Sequence, residues 1–197
     1  MKVNVVYAHP AADSYSASLH QRILRTLEAR GDEVIDFDLY AMKFDPRMGE
    51  EEWRGHEKPL PPPPELMVYV DALKWADACV FCFPTWWCGM PAILKGYFDR
   101  VWRPGVAFDA PPDGGLIKPA LRNIRRMGVV TTCGSPWWYT RLFTQDPAKQ
   151  VLLRGLKATC SGLGVRHLYL AQHSVYDVSP EAREKFAQKI ERRFAQF

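Results

Sequence analysis

Short apolar runs alternate along this chain with amphipathic stretches of helical period, and that alternation limits the possible folds more than any other feature. The apolar runs are Val3–Tyr7 (VNVVY), Val34–Leu39, Ala78–Phe83 (ACVFCF), Met127–Thr132 (MGVVTT) and Val165–Leu170. Val3–Tyr7 and Ala78–Phe83 are short and apolar enough for strands buried on both faces. The intervening helices are expected at Ser18–Arg30, Leu66–Trp75, Ala92–Val101, Lys149–Leu163 and Pro180–Phe194. The first sets Leu19, Ile23, Leu24 and Leu27 on one side and ends at Gly31. The last opens with Pro180 and turns Phe186, Ile190 and Phe194 toward the core. Alternating strands and helices predict an α/β fold with an open parallel sheet covered on both faces. For a doubly wound five-stranded sheet the expected order is 2-1-3-4-5, with ligands outside the carboxyl ends of the strands, at the switch between the first and third.

A chain of 197 residues with 47% apolar and 24% charged residues has the length and composition of a single domain, spanning residues 1–197, and not of a disordered or coiled-coil chain. Two insertions interrupt the alternation: residues 40–65, which include Pro59 and Pro61 to Pro64, and residues 103–118, with Pro104, Pro111, Pro112, Gly114 and Gly115. Both read as surface excursions, the proline run being stiff and extended. Lys and Arg total 26 against 22 Asp and Glu, a net charge of +4, which is too small an excess for a dedicated nucleic-acid binder and compatible with small anionic ligands. The five cysteines are odd in number, as expected of reduced thiols in the cytoplasm. Met1 and Lys2 precede only a short apolar run, so no signal peptide is expected, and the uncharged stretch between Asp77 and Lys95 is broken by Pro84, Gly89 and Pro91, so no membrane insertion is expected.

Three loops follow strands that should sit side by side. His9-Pro-Ala-Ala-Asp-Ser-Tyr-Ser-Ala-Ser18 has no glycine and is not a P-loop, but it carries hydroxyls into a helix start. Backbone N–H groups, Ser14, Ser16 and His9 there can hold a phosphate; the plainer reading is a helix cap. Phe83-Pro-Thr-Trp-Trp-Cys-Gly-Met-Pro91 sets Trp86 and Trp87 at a strand's carboxyl end. Such a wall suits a planar heteroaromatic ligand, or packs a loop or a subunit contact. Thr131-Thr-Cys-Gly-Ser-Pro-Trp-Trp-Tyr139 offers small residues for close backbone approach, the Tyr139 hydroxyl and two more indoles. If the strand order holds, the loops combine a phosphate pocket, a flat wall and a polar edge, which fits a flavin nucleotide.

Other motifs read more plainly. Cys79 and Cys82 lie three apart within a strand and therefore face opposite sides, which argues against a redox pair. No metal-ligand spacing is visible. Arg122, Arg125, Arg126, Lys185, Lys189, Arg192 and Arg193 read as solvated faces.

On these residues the chain resembles the flavodoxin-like NAD(P)H:quinone oxidoreductases (DT-diaphorase-like). The resemblance is carried by Tyr7-Ala-His-Pro10 with Ser14-Tyr-Ser16, by Asp38-Leu-Tyr-Ala-Met42 with Phe44-Asp-Pro46, by the block Phe83–Val101, and by Thr131-Thr-Cys-Gly134 with Tyr139. It implies a flavodoxin-like, flavin-binding homodimer that moves hydride from NAD(P)H through the flavin to a quinone or similar acceptor, the two substrates alternating in one slot. It places His9, Asp13, Ser14, Tyr15 and Ser16 along the ribityl and diphosphate part. Pro84, Thr85, Trp86, Trp87 and Cys88 fall along the ring, and Thr131, Thr132, Cys133 and Gly134 at the ring edge. Tyr139 is the expected catalytic residue, and Phe108 the expected pocket aromatic from the partner subunit, beside Trp87, Gly134 and Tyr139.

The chain departs from the resemblance at Cys88, where an aromatic is usual, at Cys133, which replaces the first glycine of a TTGG, and at Gln145, which stands for a histidine. It also ends without a long C-terminal extension. FAD is expected over FMN from the first loop and the Asp38–Met42 segment. The alternatives are a regulatory subunit of a transporter, with the proline arm as its contact, and a nitro- or azo-reductase using the same site.

Overall fold

The protein, seen in a computed structural model, is described over residues 1–56, 61–109, 111, 115–160 and 164–197. Pro59 of the proline run, Pro112 and Gly114 of the second insertion, and the expected helix end at Leu163 lie outside the described residues.

The main sheet has five strands: β1 (Lys2–Tyr7), β2 (Glu33–Asp38), β3 (Ala78–Thr85), β4 (Arg126–Cys133) and β5 (Arg166–Gln172). Their order is β2-β1-β3-β4-β5, all parallel, as expected. The register aligns Val5 with Val80, Phe83 with Thr131 and Val129 with Tyr169. The carboxyl ends of β1, β3 and β4 therefore come together along one edge.

Side chains of β3 alternate between two cores, because successive residues of a strand point to opposite faces. Cys79, Phe81 and Phe83 pack with Leu73 of α3 (Met67–Trp75) and with Leu94, Tyr97 and Phe98 of α4 (Ala92–Val101). Ala78, Val80 and Cys82 pack with Leu19, Ile23 and Leu27 of α1 (Tyr15–Ala29) and with Ile190 and Phe194 of α6 (Pro180–Phe194). Each fully buried Leu, Ile or Phe in these layers contributes about 1.5–3 kcal/mol. The separation of Cys79 from Cys82 follows from the same alternation, and burial pushes both thiols well above their usual range. Neither is a reactive pair.

Three expectations are corrected. α1 starts at Tyr15, not Ser18, because Ser14 is the capping hydroxyl: its backbone is extended and its Oγ accepts from the Ala17 N–H at 3.1 Å. The helix expected from Lys149 is an irregular run. It opens as α5 (Pro147–Gln150), widens at Val151–Gly155 and tightens at Leu156–Thr159. Gly155 and the Thr159 hydroxyl, which donates to the Leu156 carbonyl at 2.7 Å, both weaken a regular ladder there.

The insertions are also not mere surface excursions. Phe44 is buried in the first core, and Pro46 sits on Gly96, where a Cβ would lie 2.3 Å from the proline. The buried Arg100 bonds to Glu52 (2.9 Å), to Glu65 (3.1 Å) and to the Asp45 carbonyl (2.7 Å), fastening the short helix α2 (Glu50–His56) to α4. In the second insertion Val106 and Ala107 are buried, and Phe108–Asp109 pairs antiparallel with Lys118–Pro119. Among the described residues no helix is long and apolar enough to cross a membrane, no His, Cys, Asp and Glu group could hold a metal, and all five cysteines are free.

Candidate functional site

The loops after β1, β3 and β4 meet at the carboxyl edge, where pairs of hydroxyls stitch them together. Ser16 Oγ lies 3.2 Å from Thr132 Oγ1, joining the first loop to the third. Thr85 Oγ1 lies 2.9 Å from Thr131 Oγ1, joining the second to the third. Ser16, Thr131 and Thr132 are buried, so each pair satisfies groups that would otherwise be desolvated without partners.

A cavity of 210 Å³ opens at this junction, lined by His9, Ser14, Tyr15, Ser16, Pro84, Thr85, Trp86, Thr132, Gly134 and three residues from the chain after β5: Val175, Tyr176 and Arg183. His9 Nδ1 accepts from the Ala11 N–H at 3.0 Å, which assigns the ring proton to Nε2 in the neutral form and makes that nitrogen a donor. Ser14 Oγ lies 3.4 Å from the Tyr7 hydroxyl, and burial raises the Tyr7 pKa to about 12. The Tyr15 hydroxyl donates to the Arg183 carbonyl at 3.2 Å, and its pKa is also raised by burial to about 12. The Arg183 guanidinium lies 5.2 Å from the centre of the Tyr15 ring and donates from Nη2 to the Val175 carbonyl at 3.1 Å. Its Nε is buried and has no hydrogen-bond partner among the described residues. An uncompensated donor on a fixed cation asks for an anion.

A second cavity of 660 Å³ adjoins the first, sharing Thr85, Trp86, Gly134 and Tyr176 with it, and adds Trp87, Cys88, Cys133, Ser135, Tyr139 and Thr140. Its rim is a tight turn. Trp86 and Gly89 exchange backbone hydrogen bonds of 3.0 and 2.9 Å across Trp87 and Cys88, whose φ angles are 49° and 61°. Two left-handed residues in succession are the hairpin geometry that favours Asn-Gly; Trp and Cys hold it at a cost of about 1–2 kcal/mol each. The turn throws the Trp87 indole fully into solvent (101% exposed). Gly134 lies under the Tyr176 ring, where a Cβ would sit 2.8 Å from it and would push the ring aside. Tyr139 opens a wide turn, Tyr139–Phe143, with its ring stacked on Phe143 at 5.4 Å. Cys133 Sγ lies 3.5 Å from Thr140 Oγ1, fastening that turn to the end of β4.

Most of the residues expected at the site thus line the two cavities. Thr131 backs them through Thr85, while exposed Asp13 and half-buried Phe108 lie outside both. Sequence reasoning missed Val175, Tyr176 and Arg183. The rule that ligands sit at carboxyl ends extends to β5, whose following loop carries the first two. Arg183 stands in the first turn of α6, where a basic residue reads as solvent-facing.

The arrangement offers anion donors beside an aromatic slot at a sheet edge. Residues 1–196 match a family described as a flavodoxin-like fold. The chain belongs to that family. Over 158 residues it is 34% identical to the human ribosyldihydronicotinamide dehydrogenase [quinone], a match covering 71% of this chain and 67% of the human one. An uncharacterized NAD(P)H oxidoreductase of Escherichia coli, YcaK, is 36% identical over 110 residues, 54% of this chain and 55% of the relative. The crystal structure of Smu.1420 from Streptococcus mutans superposes on the whole of both chains with a TM-score of 0.86 and 30% identity. The family resemblance drawn from the loops agrees with these matches.

Proposed function

We propose that the chain is a flavin-dependent NAD(P)H oxidoreductase that delivers hydride to a quinone or a similar electrophilic acceptor. The observation that carries this reading is that Arg183, whose buried Nε has no partner among the described residues, lines a hydroxyl-rich cavity that adjoins an aromatic one. A bound flavin supplies the hydride chemistry, as an acceptor from the nicotinamide and a donor to the quinone. Every other task falls to the chain. His9, Ser14, Ser16 and Arg183 hold phosphate. Thr85, Trp86, Trp87, Cys88, Cys133 and Gly134 bound the ring space. The Tyr139 hydroxyl and the Gly134 N–H would serve as donors to negative charge on the ring edge of a bound flavin. The cavity would admit nicotinamide and quinone in turn and hold each against its aromatic rim.

FAD is proposed over FMN, because Arg183 adds a second holder opposite the Ser14–Ser16 hydroxyls and so provides for two phosphates. A homodimer is proposed from the apolar surface beside the cavity: Trp87, Trp138, Leu142, Phe143 and Tyr176 are all more than half exposed in the single chain. A second copy would cover them and bring its Phe108 to the slot. Cytoplasmic residence is proposed from the free cysteines. The test is to supply flavin to the purified protein, extract and identify what it retains, then add each nicotinamide anaerobically followed by a quinone. Retained FAD, bleached by a nicotinamide and restored by the quinone, is the expected result. Retained flavin that no nicotinamide bleaches would refute the enzymatic reading.

A further inference from the structure

A third cavity, of 800 Å³, lies at the outer edge of the sheet along β5, on the far side of the segment that carries Tyr139. Arg141, Lys149, Arg154 and Lys189 contribute four cations to its lining, against a single carboxylate, Asp146. None of the four has an ion-pair partner among the described residues. Asp146 is committed elsewhere: its Oδ1 accepts from the Tyr169 hydroxyl at 3.0 Å and from the Lys149 N–H at 3.2 Å. Lys149 Nζ is poised 5.2 Å over the Tyr169 ring, so the cation is placed by an aromatic base and not by a carboxylate.

The walls carry two further marks of a ligand site. His173 Nδ1 is buried with no hydrogen-bond partner among the described residues. Gln145 and Asp146, at the mouth, both hold left-handed backbone, with φ of 57° and 49°. Strain of this kind gathers at ligand clamps. The local field is positive as well: burial together with Lys157 and Lys149 holds His167 below its usual range. The Trp137 indole, 59% exposed, adds a flat apolar surface to the same lining.

We propose that this edge cavity binds a small phosphate-rich anion, and that a nucleoside diphosphate is the class its cations and indole fit. Uncompensated cations converging on a concave surface concentrate anions, guanidinium groups bind phosphate bidentately, and an exposed indole stacks a base. Occupancy would clamp Trp137–Asp146, the segment that carries Tyr139 into the aromatic cavity on its other side. The proposal stands apart from the flavin reading, since the two cavities share no residue.

The test is calorimetric titration of the flavin-supplied protein with inorganic pyrophosphate and, separately, with ADP. Saturable one-site binding of both is expected, with ADP the tighter and its advantage lost in Trp137→Phe. The double variant Arg141→Gln/Arg154→Gln, changing exposed side chains only, should bind either probe at least about tenfold more weakly while melting like the wild type. Arg183→Gln should leave both affinities unchanged. Equal affinity for the two probes would support the anion site and assign it to the diphosphate group alone. Wild-type affinity in the double variant or no saturable binding at all would overturn the proposal. Binding lost in Arg183→Gln but kept in the double variant would also overturn it, by assigning the anion to the flavin phosphate pocket.

Discussion

The two adjoining cavities at the carboxyl edge are built in opposite ways. The smaller is pre-ordered: Ser16 is paired with Thr132, Thr85 with Thr131, and Arg183 is held over Tyr15 with one donor free among the described residues. The larger is rimmed by exposed rings. Trp87 stands clear of the protein on a turn with two left-handed residues, and Trp138, Phe143 and Tyr176 are exposed around it. The first can grip a ligand with little reorganisation, because its hydroxyls are already paired and Arg183 is already fixed by Tyr15 and the Val175 carbonyl. The second holds exposed apolar surface that only a ligand or another chain can bury. The grip and the chemistry are thus separated within one site, a rigid anchor beside an adaptable slot.

The sharpest way to break that contrast is at the anchor. Arg183→Ala removes a charge-assisted donor and should weaken flavin about 10- to 100-fold, read by fluorescence titration, with little change in apo-protein melting. Flavin affinity at the wild-type level would mean the anchor lies elsewhere. Thr132→Val leaves the buried Ser16 hydroxyl without its partner and should destabilise the apo fold by about 1–2 kcal/mol in urea unfolding. No loss would show that the hydroxyl stitching is not what orders the loops.

On the open side the signs reverse. Trp87→Gly relieves a left-handed non-glycine position and should leave stability unchanged or raised by up to about 1 kcal/mol, while raising KM for nicotinamide or quinone more than it alters flavin affinity. A marked loss of stability would make Trp87 part of the fold and not of the slot.

The smallest effect is on pH dependence. Tyr7 and Tyr15, both at the anchor, have folded pKa values of about 12, raised by burial from 10.0. The unfolded chain therefore releases these protons first. Their contribution is intact below about pH 10 and is lost as pH rises toward 12. Tyr7→Phe should flatten the fall in melting temperature across that window; an unchanged alkaline profile would contradict the burial account.

The sheet was readable from sequence because each strand is a local pattern and the strand order follows from doubly wound topology. The loops were readable because they follow those strands directly. What escaped reading depends on contacts far apart in the chain. Arg100 finds Glu52 and Glu65 only after the first insertion folds back on α4, so the insertion read as an excursion. Arg183 meets Tyr15 across 168 residues, and no local period distinguishes it from the solvated lysines that follow on α6. The start of α1 was misplaced because Ser14, Ser16 and Ser18 are equally good caps in isolation; Ser16 is drawn inward by Thr132, which leaves the capping to Ser14.

Equilibrium titration of flavin-free protein with FAD, followed by flavin fluorescence and by absorbance near ~450 nm, tests the central claim most directly. The account predicts one flavin per chain, bound tightly by the wild type and at least about tenfold more weakly by Arg183→Ala. Failure of the folded wild-type protein to retain either FAD or FMN would contradict it.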